Sequence, residues 1–253
     1  MGLFTGIADE KSPKSHACGD DPMNSRKILI ICVAVVLLLA AVVILVRFPG
    51  LFTGTAARAP VLLPGVEVRS YQGKDLSSIN DFFENSISGP QYISISGYRL
   101  TVTGLAENTR VYSYDEVLSK FPHYSKVTTL YCVEGWDVTL LWEGVLVRDI
   151  IADAGADPRA NTVIFTAHDG YTTSFPLGYI MNNTILMAYR MNNVTLPAER
   201  GYPFQLVAED KWGYKWIKWI EKIELTDDPA YRGYWEQRGF SNNGSLDGSI
   251  SEK

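Results

Sequence analysis

Cysteine and histidine are scarce in this chain, which has three of each among its 253 residues. Cys18 lies in a polar N-terminal stretch and Cys32 in an apolar run, so Cys132 is the one cysteine of the region that has the composition of a folded domain. A lone cysteine cannot form an internal disulfide, and a structural zinc site usually needs about four Cys or His ligands. Both kinds of site are therefore excluded from that domain.

A strong excess of positive charge is also lacking. The formal net charge is −5, whereas surfaces that bind nucleic acid are basic, so nucleic acid is excluded as a partner. Hydrophobic residues make up 46% of the chain, which predicts a packed core. The length suits one domain of ordinary size with appendages.

A long apolar run is present at residues 28–46, which contain no charged residue and no proline. As a helix this run would span about 28 Å, close to the thickness of a bilayer core, so we predict a retained transmembrane helix. More basic residues precede the run than follow it, which predicts an extracytoplasmic C-terminal domain on a single-pass anchor in the cell membrane. Residues 1–27 are predicted to be a disordered cytoplasmic tail and residues 47–65 a linker.

The folded domain is predicted over residues 66–253, where strand-like patterns predominate and helices occur singly. One such pattern, at residues 92–105, predicts a pair of half-buried strands. Ser113 and Glu116 have the spacing of a capping box, which predicts a short helix, and Gly155 is expected to end a second helix. The fold class is therefore α+β.

Cys132 follows the strand-like stretch "KVTTLY" and precedes a glycine turn. It could be a buried small hydrophobe, or a nucleophile that works with His123 or His168. It could also be the thiolate ligand of a metal that arrives with most of its own ligands. These residues alone leave the three interpretations open.

The segments around Cys132 favour the metal ligand. "CVEGW" at residues 132–136, followed by "LWEGVLVRDII", resembles the cysteine segment of the oxidoreductase molybdopterin-binding family, which includes sulfite oxidase and the periplasmic molybdenum methionine sulfoxide reductase. Residues 188–208 and 213–225 resemble the family's hairpin and pterin-binding segments, and residues 234–240 resemble the closing segment of sulfite oxidase.

The resemblance implies a strand-rich sulfite-oxidase-like fold and a molybdenum-molybdopterin cofactor, with tungsten as the alternative metal. In the family, the counterpart of Cys132 binds the metal. Tyr171 matches the active-site tyrosine of sulfite oxidases, and Glu134 matches a glutamate of the methionine sulfoxide reductase. The predicted cofactor contacts are Arg200, Gly213, Lys215 and Lys218.

Two positions depart from the sulfite oxidase pattern. Gln205 replaces an arginine that would contact the pterin, and Glu134 and Trp136 follow the cysteine where sulfite oxidases have arginines that help to bind an anion. The second departure concerns the substrate. We therefore expect two-electron oxygen-atom transfer on a small sulfoxide or N-oxide rather than on sulfite. Electrons are expected to pass to or from a separate, membrane-associated redox partner.

A non-catalytic binding module that keeps the fold at the membrane surface is the alternative from another class. Cys132, Lys215 and Lys218 occur together, which favours the enzyme because a binding module has no use for all three. A cysteine-nucleophile enzyme is the third interpretation, and a metal-bound Cys132 should resist alkylation whereas a nucleophile should not.

Overall fold

The computed structural model of the chain describes residues 29–30, 32–39 and 65–252. The chain divides into two units, Met1–Val61 and Leu62–Lys253, and the described residues of the first unit are helical. Within the described ranges, no helix is both long and apolar enough to cross a membrane. The rest of the predicted transmembrane segment, the predicted tail and all but one residue of the predicted linker lie outside those ranges.

Strands dominate the described part of the second unit. Its helices are α1 (Tyr114–Lys120), α2 (Val147–Ala154) and α3 (Leu177–Asn182). Its strands are β1 (Ser70–Tyr71), β2 (Lys74–Asp75), β3 (Leu100–Gly104), β4 (Arg110–Tyr112), β5 (His123–Tyr131), β6 (Asp137–Leu146), β7 (Thr162–Ala167), β8 (Thr172–Pro176), β9 (Leu186–Met191), β10 (Val194–Thr195), β11 (Gln205–Val207) and β12 (Ile220–Thr226).

These strands form a small hairpin, β1-β2, and two five-stranded sheets. One sheet has the order β10-β9-β6-β5, with β11 also paired to β9, and the other has the order β4-β3-β12-β7-β8. The pairing of β3 with β12 is parallel, whereas the remaining strand pairs are antiparallel. Mixed sheets with short helices agree with the predicted α+β class.

Alternating burial along the strands builds one apolar core from both sheets. In β3, Leu100 and Val102 are fully buried, and in β6, Leu140 and Trp142 are fully buried. These residues belong to a single cluster of buried side chains. Because side chains along a strand alternate with a period of two residues, one face of each strand points into the core, as the sequence pattern predicts.

Both predicted helix signals are present in the structure. Ser113 caps α1: its hydroxyl accepts a hydrogen bond from the Glu116 N–H, and the Glu116 carboxylate accepts one from the Ser113 N–H at 2.7 Å. Gly155 ends α2 with a φ of 73°, which glycine adopts without the steric cost of a side chain. The capping box and the glycine stop are confirmed.

The predicted strand pair at residues 92–105 is half wrong. β3 covers its second half, but residues 92–94 are irregular, and a turn follows in which the Gly97 N–H donates to the Ser94 carbonyl at 3.1 Å. Alternation makes a strand only where a neighbouring strand supplies hydrogen bonds. Tyr92 is 79% exposed, so this stretch runs over the surface instead.

Candidate active site

A cavity of about 610 Å³ lies beside Cys132. Its walls come from the β5–β6 and β7–β8 turns, from the segments before β11 and before β12, from Trp235 and Phe240, and from irregular residues between 82 and 89. Phe83 and Trp235 line the cavity and are 73% and 37% exposed. The cavity therefore reaches the protein surface.

Cys132 begins the tight turn that joins β5 to β6. Its N–H donates to the Trp136 carbonyl at 2.9 Å, and the Gly135 N–H donates to the Cys132 carbonyl at 3.1 Å. Gly135 has a φ of 91°, in the left-handed region that favours glycine. The sequence "CVEGW" thus forms a turn that presents Cys132 at the cavity wall.

Gly213 allows a second segment to approach this turn. A Cβ atom at Gly213 would lie 3.1 Å from the Tyr131 carbonyl oxygen and 3.7 Å from the Cys132 Cα. Glycine is therefore the residue that fits without displacing the cysteine strand. Gly213, a predicted cofactor contact, lines the cavity and lets the segment before β12 form its wall.

The Cys132 thiol is buried, and this burial is the main reason that its pKa is raised. The Glu134 N–H acts against the rise in pKa, whereas the Glu134 carboxylate adds to it. The amide of Asn85 donates weakly to the sulfur, with 3.7 Å between Nδ2 and Sγ. A thiol in this setting stays protonated at neutral pH and gives up its proton when it binds a metal cation.

Glu134 places a negative charge beside Cys132. One carboxylate oxygen, Oε2, accepts hydrogen bonds from Asn85 Nδ2 at 3.0 Å and from Trp136 Nε1 at 3.1 Å. These two bonds, the one from Asn85 first, lower the pKa of Glu134. The group is therefore a carboxylate at neutral pH, and its lone pairs can accept a further hydrogen bond from a ligand.

Tyr171, the tyrosine predicted from the resemblance to lie in the active site, lines the same cavity. Its hydroxyl donates to the Tyr214 carbonyl at 2.5 Å, and burial raises the pKa of Tyr171 well above its ordinary value. The phenol is therefore neutral, and its proton is engaged with the cavity wall. Its oxygen can still accept a hydrogen bond from a ligand.

Arg200 and Lys218, two predicted cofactor contacts, line the cavity. The Arg200 guanidinium donates to three backbone carbonyls of residues 79–83. The Lys218 ammonium contacts a Glu84 carboxylate oxygen at 2.5 Å and the Glu199 carbonyl at 3.3 Å. Both cations reach the cavity, and both also hold the irregular segment against it.

Lys215, the remaining predicted contact, lies elsewhere. Its fully buried ammonium donates to Glu236 Oε1 at 2.6 Å, to the Ser174 carbonyl at 2.7 Å and to the Asn242 carbonyl at 3.0 Å. An ammonium has three N–H donors, and these acceptors use all of them. The geometry therefore does not support Lys215 as a contact to a cofactor phosphate.

Residues 79–89 are the part of the site that sequence reasoning missed. Phe82, Phe83, Glu84 and Asn85 all line the cavity, and Asn85 contacts both Cys132 and Glu134. The segment has no helix or strand and no apolar period. Its one signal was the short motif "DFFEN", where two aromatic residues stand between polar ones ahead of the first long strand.

The cofactor that the resemblance implies fits the residues of this cavity. The volume lies within the range of about 300 to 1,000 Å³ that is typical of ligand pockets. Over the described ranges, no three His, Cys, Asp or Glu side chains come together in a way that could hold a metal ion. Cys132 offers one soft ligand, which suits a metal that carries its other ligands, and Lys218 offers positive charge to a phosphate.

Comparison with known proteins supports this fit. Residues 87–235 match the model of the oxidoreductase molybdopterin binding domain. The chain is 33% identical over 156 residues to the uncharacterized oxidoreductase YuiH of Bacillus subtilis, covering 61% of this chain and 78% of that protein. It is 27% identical over 177 residues to the protein-methionine-sulfoxide reductase catalytic subunit MsrP of Gluconobacter oxydans, covering 61% of this chain and 57% of that protein.

A solved structure shares the fold. The sulfane dehydrogenase SoxCD of Paracoccus pantotrophus superposes with a TM-score of 0.57 at 19% identity, covering 74% of this chain and 58% of that chain. This confirms the predicted sulfite-oxidase-like fold. Because the family model covers more than half of the chain and places Cys132 inside it, the chain belongs to the oxidoreductase molybdopterin-binding domain family, an enzyme family whose cofactor is molybdopterin.

Proposed function

We propose that this oxidoreductase transfers an oxygen atom, and that it reduces a small sulfoxide or N-oxide in preference to oxidising sulfite. The observation that carries the proposal is the Glu134 carboxylate beside the Cys132 thiol, where Asn85 and Trp136 hold it by hydrogen bonds. A fixed negative charge next to the reacting centre repels an anionic substrate and tolerates a neutral one.

When bound, molybdopterin supplies a metal centre that exchanges an oxygen atom and two electrons with the substrate. Cys132 would be the chain's ligand to that metal, and the Lys218 ammonium would balance the charge of the cofactor's phosphate. Reduction of a sulfoxide consumes two electrons and two protons and yields a sulfide and water. Because the Tyr171 hydroxyl donates its own proton to the Tyr214 carbonyl, its oxygen can accept a hydrogen bond from the product water.

The apolar body of the substrate would contact aromatic side chains. Phe82 and Trp136 line the cavity with their rings 5.7 Å apart, and Trp235 and Phe240 line it with their rings 5.3 Å apart. Aromatic walls bind uncharged organic groups such as the alkyl groups of a sulfoxide. The name of the Gluconobacter relative, a methionine sulfoxide reductase, supports the same substrate class.

Dye-linked assays of the loaded protein test this proposal. We expect reduced viologen to drive the reduction of dimethyl sulfoxide or trimethylamine N-oxide, with a kcat/KM at least about a hundredfold above that of ferricyanide-linked sulfite oxidation. Glu134→Gln keeps one oxygen that can accept both hydrogen bonds but removes the negative charge. The variant should therefore lower the ratio of oxide reduction to sulfite oxidation by about tenfold. Faster turnover of sulfite than of either oxide would contradict the proposal.

We also propose that residues 28–46 anchor the enzyme, with its domain outside the cytoplasm and its electrons supplied by a membrane-associated partner. The charge-free apolar run and the basic residues before it support this arrangement. The full chain should sediment with membranes and resist a carbonate wash, whereas a chain that starts at residue 47 should not. Recovery of the full chain in the soluble fraction would rule the anchor out.

A further inference from the structure

Residues 79–89, which we call the strap, belong to no helix or strand, and residues 82–87 and Gly89 of the strap form one wall of the cavity. The strap therefore lacks the ladder of backbone hydrogen bonds that a strand forms with its neighbours. Its position depends on the side chains that reach it. The most important of these is Arg200.

Arg200 binds the strap through its whole guanidinium group. Nε donates to the Ile79 carbonyl at 3.0 Å, Nη2 to the Phe82 carbonyl at 2.7 Å and Nη1 to the Phe83 carbonyl at 3.2 Å. The guanidinium also lies 3.7 Å from the centre of the Phe82 ring. Because the planar guanidinium binds three carbonyls and one ring, it fixes both the position and the orientation of the strap relative to the cavity.

The fixed strap in turn carries Asn85 to the cysteine. Asn85 follows Phe83 by two residues, and its amide contacts the Cys132 sulfur at 3.7 Å and Glu134 at 3.0 Å. A salt bridge from Lys218 holds Glu84, the residue between Phe83 and Asn85. An unbroken series of contacts therefore connects Arg200 with the thiol through the strap.

We propose that Arg200 is a positioning residue that closes the strap over the cavity and holds Asn85 against Cys132. The sequence predicted a direct contact between Arg200 and the pterin, but its fork is directed at protein carbonyls. This inference concerns the same site as the proposed function. The positioning role of Arg200 does not depend on which substrate is reduced. The experiments below can therefore contradict it without contradicting the proposed function, and the substrate assays can contradict the proposed function without contradicting it.

The test uses the full chain expressed without cofactor. Iodoacetamide modifies Cys132 at one fixed pH, and mass spectrometry separates its peptide from those of Cys18 and Cys32. Arg200→Lys keeps the charge but loses the planar fork and with it charged hydrogen bonds to the strap. The strap should then move away from Cys132 and expose its sulfur. We therefore expect Cys132 to react about tenfold faster with iodoacetamide. Hydrogen exchange should accelerate at residues 79–89 and stay unchanged in β6.

Arg190→Lys is the matched control. Arg190 lies on β9, outside the cavity lining, and its nearest carboxylate, that of Glu143, is 3.7 Å away. This variant should leave both the alkylation of Cys132 and the exchange of the strap unchanged. If Arg200→Lys leaves them unchanged too, Arg200 does not position the strap. If Arg200→Lys does not fold, Glu84→Gln loosens the same strap from Lys218 and should also accelerate alkylation.

A double-mutant cycle separates positioning from direct contact with the cofactor. In the loaded protein, Arg200→Lys should shift the absorption of the metal centre, because Asn85 moves away from the metal-bound sulfur. In an Asn85→Ala background the same substitution should cause little further shift. An equal shift in both backgrounds would mean that Arg200 acts on the cofactor itself, which would overturn the inference.

Discussion

Cys132→Ser is expected to reduce metal binding by more than about a hundredfold and to abolish turnover, with little effect on the fold. Changes to groups that only surround a metal ligand typically cost about 10- to 100-fold in affinity or activity, and loss of the ligand itself should cost more. Serine replaces a soft sulfur by a hard oxygen that is protonated at neutral pH. Metal analysis and pterin fluorescence of the purified protein measure the loss.

Cys32→Ser provides the control for this experiment. Cys32 is an exposed, unpaired cysteine of the first unit, so its loss should leave metal content and turnover unchanged. If Cys132→Ser retains metal and pterin at wild-type levels, Cys132 does not bind the metal. It would then be a buried hydrophobe or a nucleophile. Rapid alkylation of Cys132 in the loaded wild-type protein would favour the nucleophile.

The parts of this site that sequence could predict are those built from local patterns. The turn "CVEGW" depends on residues within one hairpin, and its glycine has the backbone conformation that the sequence requires. Gly213, Arg200 and Lys218 belong to two further short segments, and the fold brings all of them to one cavity. Their roles toward the cofactor remain predictions.

The strap and Lys215 show where sequence reasoning stops. The contacts that hold the strap are backbone carbonyls, which every residue carries, so they leave no trace in the side-chain pattern. Lys215 and Lys218 are three residues apart and look alike in sequence. Only the packed structure shows that one ammonium faces the cavity and the other lies in the core, because that difference depends on Glu236, which is distant in the chain.

Lys215→Met is expected to lower the free energy of unfolding by about 3 to 5 kcal/mol. The side chains of Lys215 and Glu236 are both fully buried, and removal of the ammonium leaves the Glu236 carboxylate with the Thr173 hydroxyl as its hydrogen-bond donor in the described structure. Removal of one partner of a buried ion pair leaves the other charge, here the Glu236 carboxylate, unpaired in an interior that solvates it poorly. This accounts for the size of the effect. Urea unfolding of the cofactor-free full chain measures the difference.

Lys222→Met makes the same change in an exposed pair and serves as the control. The Lys222 and Glu224 side chains are 39% and 35% exposed, and surface pairs contribute about 0 to 1 kcal/mol. If the two variants lose equal stability, the buried pair has no special role. The double variant with Lys215→Met and Glu236→Leu should recover part of the loss, since the stranded charge is then absent. Recovery would show that the penalty comes from the unpaired Glu236 carboxylate, because the lost packing of the Lys215 side chain is common to both variants.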